Sequence, residues 1–204
     1  MPSSKTFVVE HLDTELGPWS TLEYATIAAE SAAAGAGFIL SSVPSDLVLP
    51  PSLSNIPGLQ VKTESVETLF PKPRVCLLDP AAGKELAPVD GDVFDVFLFG
   101  GILGDDPPRD RTGELRRKGY EGRRLGPVQM TTDTAVRVTR MVVQEQTPLE
   151  DIKFVDHPEI RVSAHESTEM PFRYVVGNDG KPIMPEGMVE LIKKDSEKSI
   201  DDLF

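Results

Sequence analysis

The chain has 204 residues, 39% of them hydrophobic and 26% charged, and a formal net charge of −12 at pH 7. That size suits one compact domain, and that balance excludes a disordered or fibrous chain. No apolar run approaches the roughly 20 residues that cross a bilayer. Met1 to Phe7 lacks the apolar core of an export signal, so the chain reads as cytosolic or nuclear, with a cytoplasmic protein without membrane contact expected. Its single cysteine, Cys76, excludes an internal disulfide framework and any cysteine-based zinc site. Within Val75-Cys76-Leu77-Leu78 it reads as a buried thiol. The acidity repels nucleic acid at long range and favours cationic partners.

Thr6 to Glu10 is a short apolar run, expected as a strand. After Leu16-Gly17-Pro18, Ser20 followed three residues later by Glu23 has the form of a capping box, with Trp19 and Tyr24 at the staple positions. The Ala-rich stretch Tyr24 to Ala34 predicts a helix that stops at Gly35 and Gly37. Phe38-Ile39-Leu40 predicts a buried strand, completing a parallel strand–helix–strand unit. Residues 44–73, with Pro50-Pro51 and Pro71-Lys72-Pro73, predict a surface loop bearing one short helix around Ser65 to Leu69. Val75 to Asp79 and Val93 to Phe99 predict strands, the second ending in Gly100-Gly101. Leu125 to Gln129 predicts another, feeding a helix from about Asp133 to Gln146. Beyond Pro148, short strands are expected at Ile152 to Val155, Ile160 to Val162 and Phe172 to Val176, and a last helix from Glu186 to about Lys194. No repeat or low-complexity linker divides the chain. A single α/β domain over 1–204 is expected, with 196–204 as a flexible tail.

Four segments carry more than packing information. In Phe97 to Pro108 a strand runs into Gly100, Gly101 and Gly104, where backbone can approach a ligand closely or simply make a tight turn. The carboxyl end of a parallel strand is where α/β proteins bind cofactors. The spacing fits neither a P-loop nor a dinucleotide fingerprint. In Arg124 to Ala135 a strand ends in Thr131 and Thr132, which can cap the following helix and expose backbone donors at its mouth. The basic stretch Arg109, Arg111, Arg116, Arg117, Lys118, Arg123 and Arg124 is either a helix face paired with nearby carboxylates or a patch for an acidic partner such as RNA. Glu166 and Glu169, ahead of Met170-Pro171-Phe172-Arg173-Tyr174, are either solvated or part of a pocket for a guanidinium or ammonium group. The scattered His11, His157 and His165 have no metal-ligand spacing, and no Ser-His-Asp arrangement is visible.

The stretches Glu10 to Asp13 with Leu16 to Ser20, Phe97 to Arg111, Gly122 to Arg137 and Glu169 to Tyr174 resemble the SPOUT methyltransferase superfamily. More narrowly, they resemble its eukaryotic branch first classed as predicted RNA methyltransferases. That branch includes a fungal protein arginine methyltransferase acting on small-subunit ribosomal protein S-three. The resemblance implies a parallel sheet flanked by helices, with a deep trefoil knot holding S-adenosyl-L-methionine, released as S-adenosyl-L-homocysteine. It places the cofactor against Leu98, Phe99, Gly100, Gly101 and Gly104 and against Leu125, Gly126, Pro127, Met130, Thr131, Thr132 and Thr134, with Gly119 to Gly122 between them. SPOUT enzymes acting on RNA are usually dimers with appended RNA-binding domains. No such domain is visible here, so a monomer with weak RNA binding is expected.

Three functions remain open on the sequence: arginine methylation of a basic small-subunit ribosomal protein, RNA methylation, and non-catalytic binding of the cofactor or the ribosome. A guanidinium nitrogen is a poor nucleophile because its lone pairs are delocalised. A carboxylate that orients it and takes its proton answers that difficulty. Asp105, Asp106, Glu166 and Glu169 are the candidates.

Overall fold

The computed structural model describes residues 4–101, 111–162 and 167–201. Six strands form one parallel sheet. The amino-terminal unit supplies β1 (Thr6–Glu10), β2 (Gly37–Ser41) and β3 (Leu59–Val61), and the following segment supplies β4 (Val75–Leu78), β5 (Val96–Gly100) and β6 (Glu121–Arg123). Their order in space is β3-β2-β1-β5-β4-β6, and every pair is parallel. Parallel strands need crossovers that cover both faces, so the central strands are apolar on both sides. Phe7, Val9, Phe38, Leu40, Cys76, Phe97 and Phe99 point to one face. Val8, Ile39, Val75, Leu77, Val96 and Leu98 point to the other. This is the period-two alternation of strand side chains.

The first face is covered by α1 (Pro18–Ala33) and α6 (Thr132–Val143), which pack on each other. The second is covered by α5 (Arg111–Arg117) through Leu115, with Tyr120 beyond it and Val66 of the short α3 (Val66–Leu69). Another short helix, α4 (Asp90–Val93), abuts α6 so tightly that a Cβ on Gly91 would lie 2.6 Å from the Val143 carbonyl oxygen. Beyond α6 come β7 (Phe154–Asp156), β8 (Glu159–Arg161), β9 (Ser167–Glu169) and β10 (Arg173–Val175). They pair antiparallel as β10-β7 and β8-β9 and stay out of the main sheet. With α7 (Met188–Asp201) they enclose a small apolar cluster of Ile160, Met170, Tyr174, Met188 and Ile192, packed over Trp19 and Leu22 of α1.

Several elements depart from the sequence expectation. Helix α1 begins at Pro18 with Gly17 as an N-cap that makes no side-chain bond, so the proline at the first turn starts the helix rather than Ser20. Glu23 closes no capping box. It shares the buried stripe of Tyr24, Ile27 and Ser31 that faces the core. Leu125 to Gln129 is not a strand. The strand there is Glu121-Gly122-Arg123, whose charges and glycine gave no apolar signal, and the chain turns out of it at Gly126, where φ is +93°. The proline-rich loop also carries α2 (Pro51–Ser54) and the edge strand β3. β9 lies just ahead of an expected strand, and α7 runs to Asp201, past Lys194 and over part of the segment expected as a tail.

Charge is buried in several places. The Lys5 ammonium donates to the carbonyls of Gly91 and Phe94 and lies 3.8 Å from the Asp95 carboxylate. Arg123 bonds Asp90 and Glu121 and rests its guanidinium on the Phe94 ring. Between α1 and α6, Arg137 bridges Glu30 and Asp133 while Glu23 lies fully buried close by. Burial, and after it the negative charge of Asp133, hold the Glu23 carboxyl well above its ordinary 4.5.

Two outcomes are expected. Gly91→Ala drives a methyl group into the α6 backbone, and urea unfolding should show a loss of about 1–3 kcal/mol. For Glu23, the folded chain binds the proton more tightly than the unfolded chain does. Stability therefore falls as pH rises from 4.5 toward the raised native value. Glu23→Gln cannot ionise, so its melting temperature should gain on the wild type across that window and level off above it. A difference independent of pH would contradict the assignment.

Candidate active site

The carboxyl ends of β4, β5 and β6 lie in one row, and the loops that leave them enclose a cavity of about 620 Å³. From β4 come Leu78, Asp79 and Pro80, and from β5 come Phe99 and Gly100. The longest wall is the β6–α6 loop with Leu125, Gly126, Pro127, Val128, Gln129 and Met130. Thr132 and Ala135 of α6 close the inner side, and Thr112 of α5 faces in from beyond β5. The wall is mainly apolar with a few polar points, the usual character of a small-molecule site. Gly126 has φ +93°, and a Cβ there would meet only the Arg173 guanidinium, at 3.6 Å. Backbone is thus presented to the cavity without a side chain in the way.

The polar points are held firmly. Asp79 is buried and accepts two bonds from the Arg116 guanidinium, at 2.5 and 2.7 Å, and a third from the Ala81 amide. Burial pushes its carboxyl upward, but the arginine fork and the amide outweigh this and keep it below the ordinary range. Arg173 forks Asp156, stacks on the Phe154 ring and donates its backbone N–H to the Gln129 carbonyl, so β7 and β10 brace the long loop. The Cys76 thiol, beneath the sheet end, is pushed up to about 12 by burial and is no nucleophile.

The structure brings together Phe99 and Gly100 with Leu125, Gly126, Pro127, Met130 and Thr132. Thr131 and Thr134 stand beside them but bond each other at 2.8 Å within the first turn of α6. Leu98 points to the opposite face of the sheet. A Cβ on Gly101 would meet the Tyr24 hydroxyl and the Glu10 carbonyl at 3.1 and 3.2 Å, so that residue is pressed against β1 and α1. Gly119 makes the turn that ends α5 and does not line the cavity. Gly104, Asp105, Asp106 and Glu166 lie outside the described residues. Glu169 is exposed on β9, opposite Glu159.

Sequence reasoning missed Leu78, Asp79, Pro80, Glu85 and Thr112. The signal for the first three was present, since Val75 to Leu78 runs into Asp79-Pro80 as Phe97 runs into the glycines. Four residues of the basic stretch follow the paired-face reading: Arg116 with Asp79, Lys118 with Glu67, Arg123 with Asp90 and Glu121, and Arg124 with Glu85. Arg109 lies outside the described residues. Among the described residues no group of three His, Cys, Asp or Glu is placed to hold a metal ion, and no helix is long and apolar enough to cross a membrane.

The family description "Protein arginine N-methyltransferase SFM1-like" matches residues 6–199. Protein arginine N-methyltransferase SFM1 of Saccharomyces cerevisiae is 46% identical, over 97% of this chain and 99% of its own. The crystal structure of the yeast arginine methyltransferase SFM1 complexed with SAM superposes with a TM-score of 0.86 at 45% identity, covering 95% of this chain and 92% of that one. A more distant likeness, to the spTrm10–SAH complex, has a TM-score of 0.56 at 13% identity over 73% of this chain and 92% of that one, and concerns the fold alone. The six-stranded parallel sheet flanked by helices is the SPOUT-type α/β architecture that the sequence resemblance implied. The chain belongs to the SFM1-like family of protein arginine N-methyltransferases.

Proposed function

We propose that this chain transfers a methyl group from S-adenosyl-L-methionine to an arginine of a basic small-subunit ribosomal protein. The observation that carries the reading is the cavity at the carboxyl ends of β4, β5 and β6, in a chain of this family. Its volume of about 620 Å³ lies within the range of about 300–1,000 Å³ that suits a cofactor-sized ligand. Leu78, Phe99, Leu125 and Met130 offer apolar area to an adenine ring. Gly100 and the Gly126-Pro127 backbone offer close approach, and Asp79, Gln129 and Thr132 offer polar partners. These residues fit the cofactor. The likeness to the yeast arginine methyltransferase SFM1, whose crystal structure is complexed with SAM, supports S-adenosyl-L-methionine as the cofactor.

When bound, S-adenosyl-L-methionine supplies a methyl group on a sulfonium, and transfer forms a nitrogen–carbon bond as the sulfur–carbon bond breaks, leaving S-adenosyl-L-homocysteine. The chain's own task is then to position and desolvate the accepting nitrogen. A carboxylate that holds the other guanidinium N–H groups keeps positive charge away from that nitrogen and takes the proton made acidic by methylation. Asp105, Asp106, Glu166 and Glu169 remain candidates for contacts to the basic substrate; Glu169, exposed on β9, is suited to the outer, solvated part of that contact. A net charge of −12 favours such a cationic partner, and Arg116, Lys118, Arg123 and Arg124 of the basic stretch are engaged with carboxylates of the chain itself. Action as a cytoplasmic monomer, with the cofactor held in a trefoil knot, belongs to the same proposal.

Two experiments test it. Incubation with cofactor labelled in the methyl group, together with separated ribosomal proteins and ribosomal RNA, should label one small-subunit protein, and hydrolysis of that protein should yield methylarginine. Label confined to RNA would overturn the reading. Gly126→Val forces a β-branched residue to positive φ at the cavity mouth. Calorimetry should show S-adenosylhomocysteine affinity falling by about tenfold or more, equivalent to about 1.4 kcal/mol, in a protein that still folds. Unchanged affinity would remove the β6–α6 loop from the site.

A further inference from the structure

Three ionisable side chains line the cavity among the described residues: Asp79, Glu85 and Arg124. Asp79 is committed within the chain, since it accepts the Arg116 fork at 2.5 and 2.7 Å and the Ala81 amide. The other two are held to each other far more loosely. The Arg124 Nε stands 3.5 Å from a Glu85 carboxylate oxygen, outside the range of about 2.7–3.2 Å in which such a hydrogen bond is made. Both side chains are about half exposed, at 42% for Arg124 and 52% for Glu85. An ion pair so open to water contributes little to stability. Folding alone does not account for two charges at the cavity wall.

The backbone, by contrast, fixes the two residues side by side. Glu85 and Arg124 are partners in a parallel bridge just beyond the end of β6. The Arg124 amide donates to the Lys84 carbonyl at 2.9 Å, and the Leu86 amide donates to the Arg124 carbonyl at 3.0 Å. Extended backbone sends successive side chains to opposite sides. Leu86 therefore turns into the core and Arg123 to its bond with buried Asp90, while Glu85 and Arg124 turn out to the cavity. Two full and opposite charges are thus presented together on a firm frame. Apart from Asp79, the remaining lining is apolar or uncharged.

S-adenosyl-L-methionine and S-adenosylhomocysteine divide their charge in a matching way. Adenine and ribose carry no full charge, whereas the amino-acid end bears a carboxylate and an ammonium on one carbon. A guanidinium fork suits that carboxylate, and a carboxylate suits that ammonium. A substrate arginine matches the pair only by half, since Glu85 attracts its guanidinium and Arg124 repels it. We propose that Arg124 and Glu85 form the subsite for the amino-acid end of the cofactor, with Arg124 on its carboxylate and Glu85 on its ammonium. This rests on the reading of the cavity as the S-adenosyl-L-methionine site and adds the residues that recognise one end of that molecule. Binding exchanges one loose ion pair for two. A neutral pair meets a neutral zwitterion, so charge is balanced before and after, and the backbone bridge holds both residues in place for it.

Titration calorimetry of the whole chain tests this with two ligands. One is S-adenosylhomocysteine; the other is 5′-methylthioadenosine, which has a methyl group on sulfur in place of the amino-acid end. Wild type should bind S-adenosylhomocysteine the more tightly, by about tenfold or more. Arg124→Gln and Glu85→Gln each remove one charge. Each should weaken S-adenosylhomocysteine by about tenfold and leave methylthioadenosine within about twofold, with the melting temperature held because the pair is half exposed. If wild type binds neither ligand, the cofactor reading itself fails and the subsite falls with it. If wild type binds both equally, the cavity stands as the cofactor site but the amino-acid end is not recognised there, and the subsite is overturned. That comparison needs no variant. Two further results overturn the subsite alone: S-adenosylhomocysteine affinity unchanged in either variant, or both ligands weakened in step, which would mean that the pair only shapes the wall.

Discussion

Strand β4 is hydrogen-bonded to β5 on one side and to β6 on the other, and all three run the same way. Parallel pairing forces every connection to return across a face of the sheet, so the three carboxyl ends emerge together at one edge. Leu78, Phe99 and Arg124 mark where each strand gives way to loop, and the cavity is the space those loops leave. The same pairing requires cover on both faces. α1 and α6 provide it on one side and α5 on the other, and this brings the first turn of α6 to the inner wall of the cavity. Site and sheet are thus consequences of one arrangement of strands.

Rigidity around the cavity comes from buried polar bonds as well as apolar packing. Glu10, 1% exposed at the end of β1, accepts from the hydroxyls of Ser41 and Ser42 and from the Val66 amide, tying β1, β2 and α3 together where they finish. Asp79 and Arg116 do the same for the β4 loop and α5, and Arg173 with Asp156 for the outer loop. These pairs are satisfied, so they hold the backbone at little net cost. Glu23 and Asp133 differ from them in being buried with unfilled acceptors.

Much of this was legible in the sequence. The runs at Thr6 to Glu10, Phe38 to Leu40, Val75 to Asp79 and Val93 to Phe99 gave the central strands because burial on both faces keeps their inner positions apolar, although Val93 itself ends α4. The Gly100 and Gly126 loops stood out for the reason they work: backbone exposed beside a ligand shows as glycine after a strand. β6 was not legible, since a strand of Glu121, Gly122 and Arg123 owes its place to pairing with β4 and to the Arg123–Asp90 bond, both long-range. The burial of Glu23 was hidden by a local pattern. Ser20 and Glu23 have capping-box spacing, but Pro18 moves the helix start back, so the same carboxylate faces α6 instead. Only the packing of α1 on α6, more than a hundred residues apart in sequence, reveals it.

The central claim is that the loops after β4, β5 and β6 form the cofactor site. Amide hydrogen exchange of the whole chain, with and without saturating S-adenosylhomocysteine, tests it most directly, because it reads every loop without choosing one in advance. The account predicts slowed exchange in the segments around Leu78 to Ala81, Phe99 to Gly101 and Arg124 to Thr132, with the β8–β9 hairpin unchanged. Protection confined to other segments, with these three exchanging as before, would contradict it.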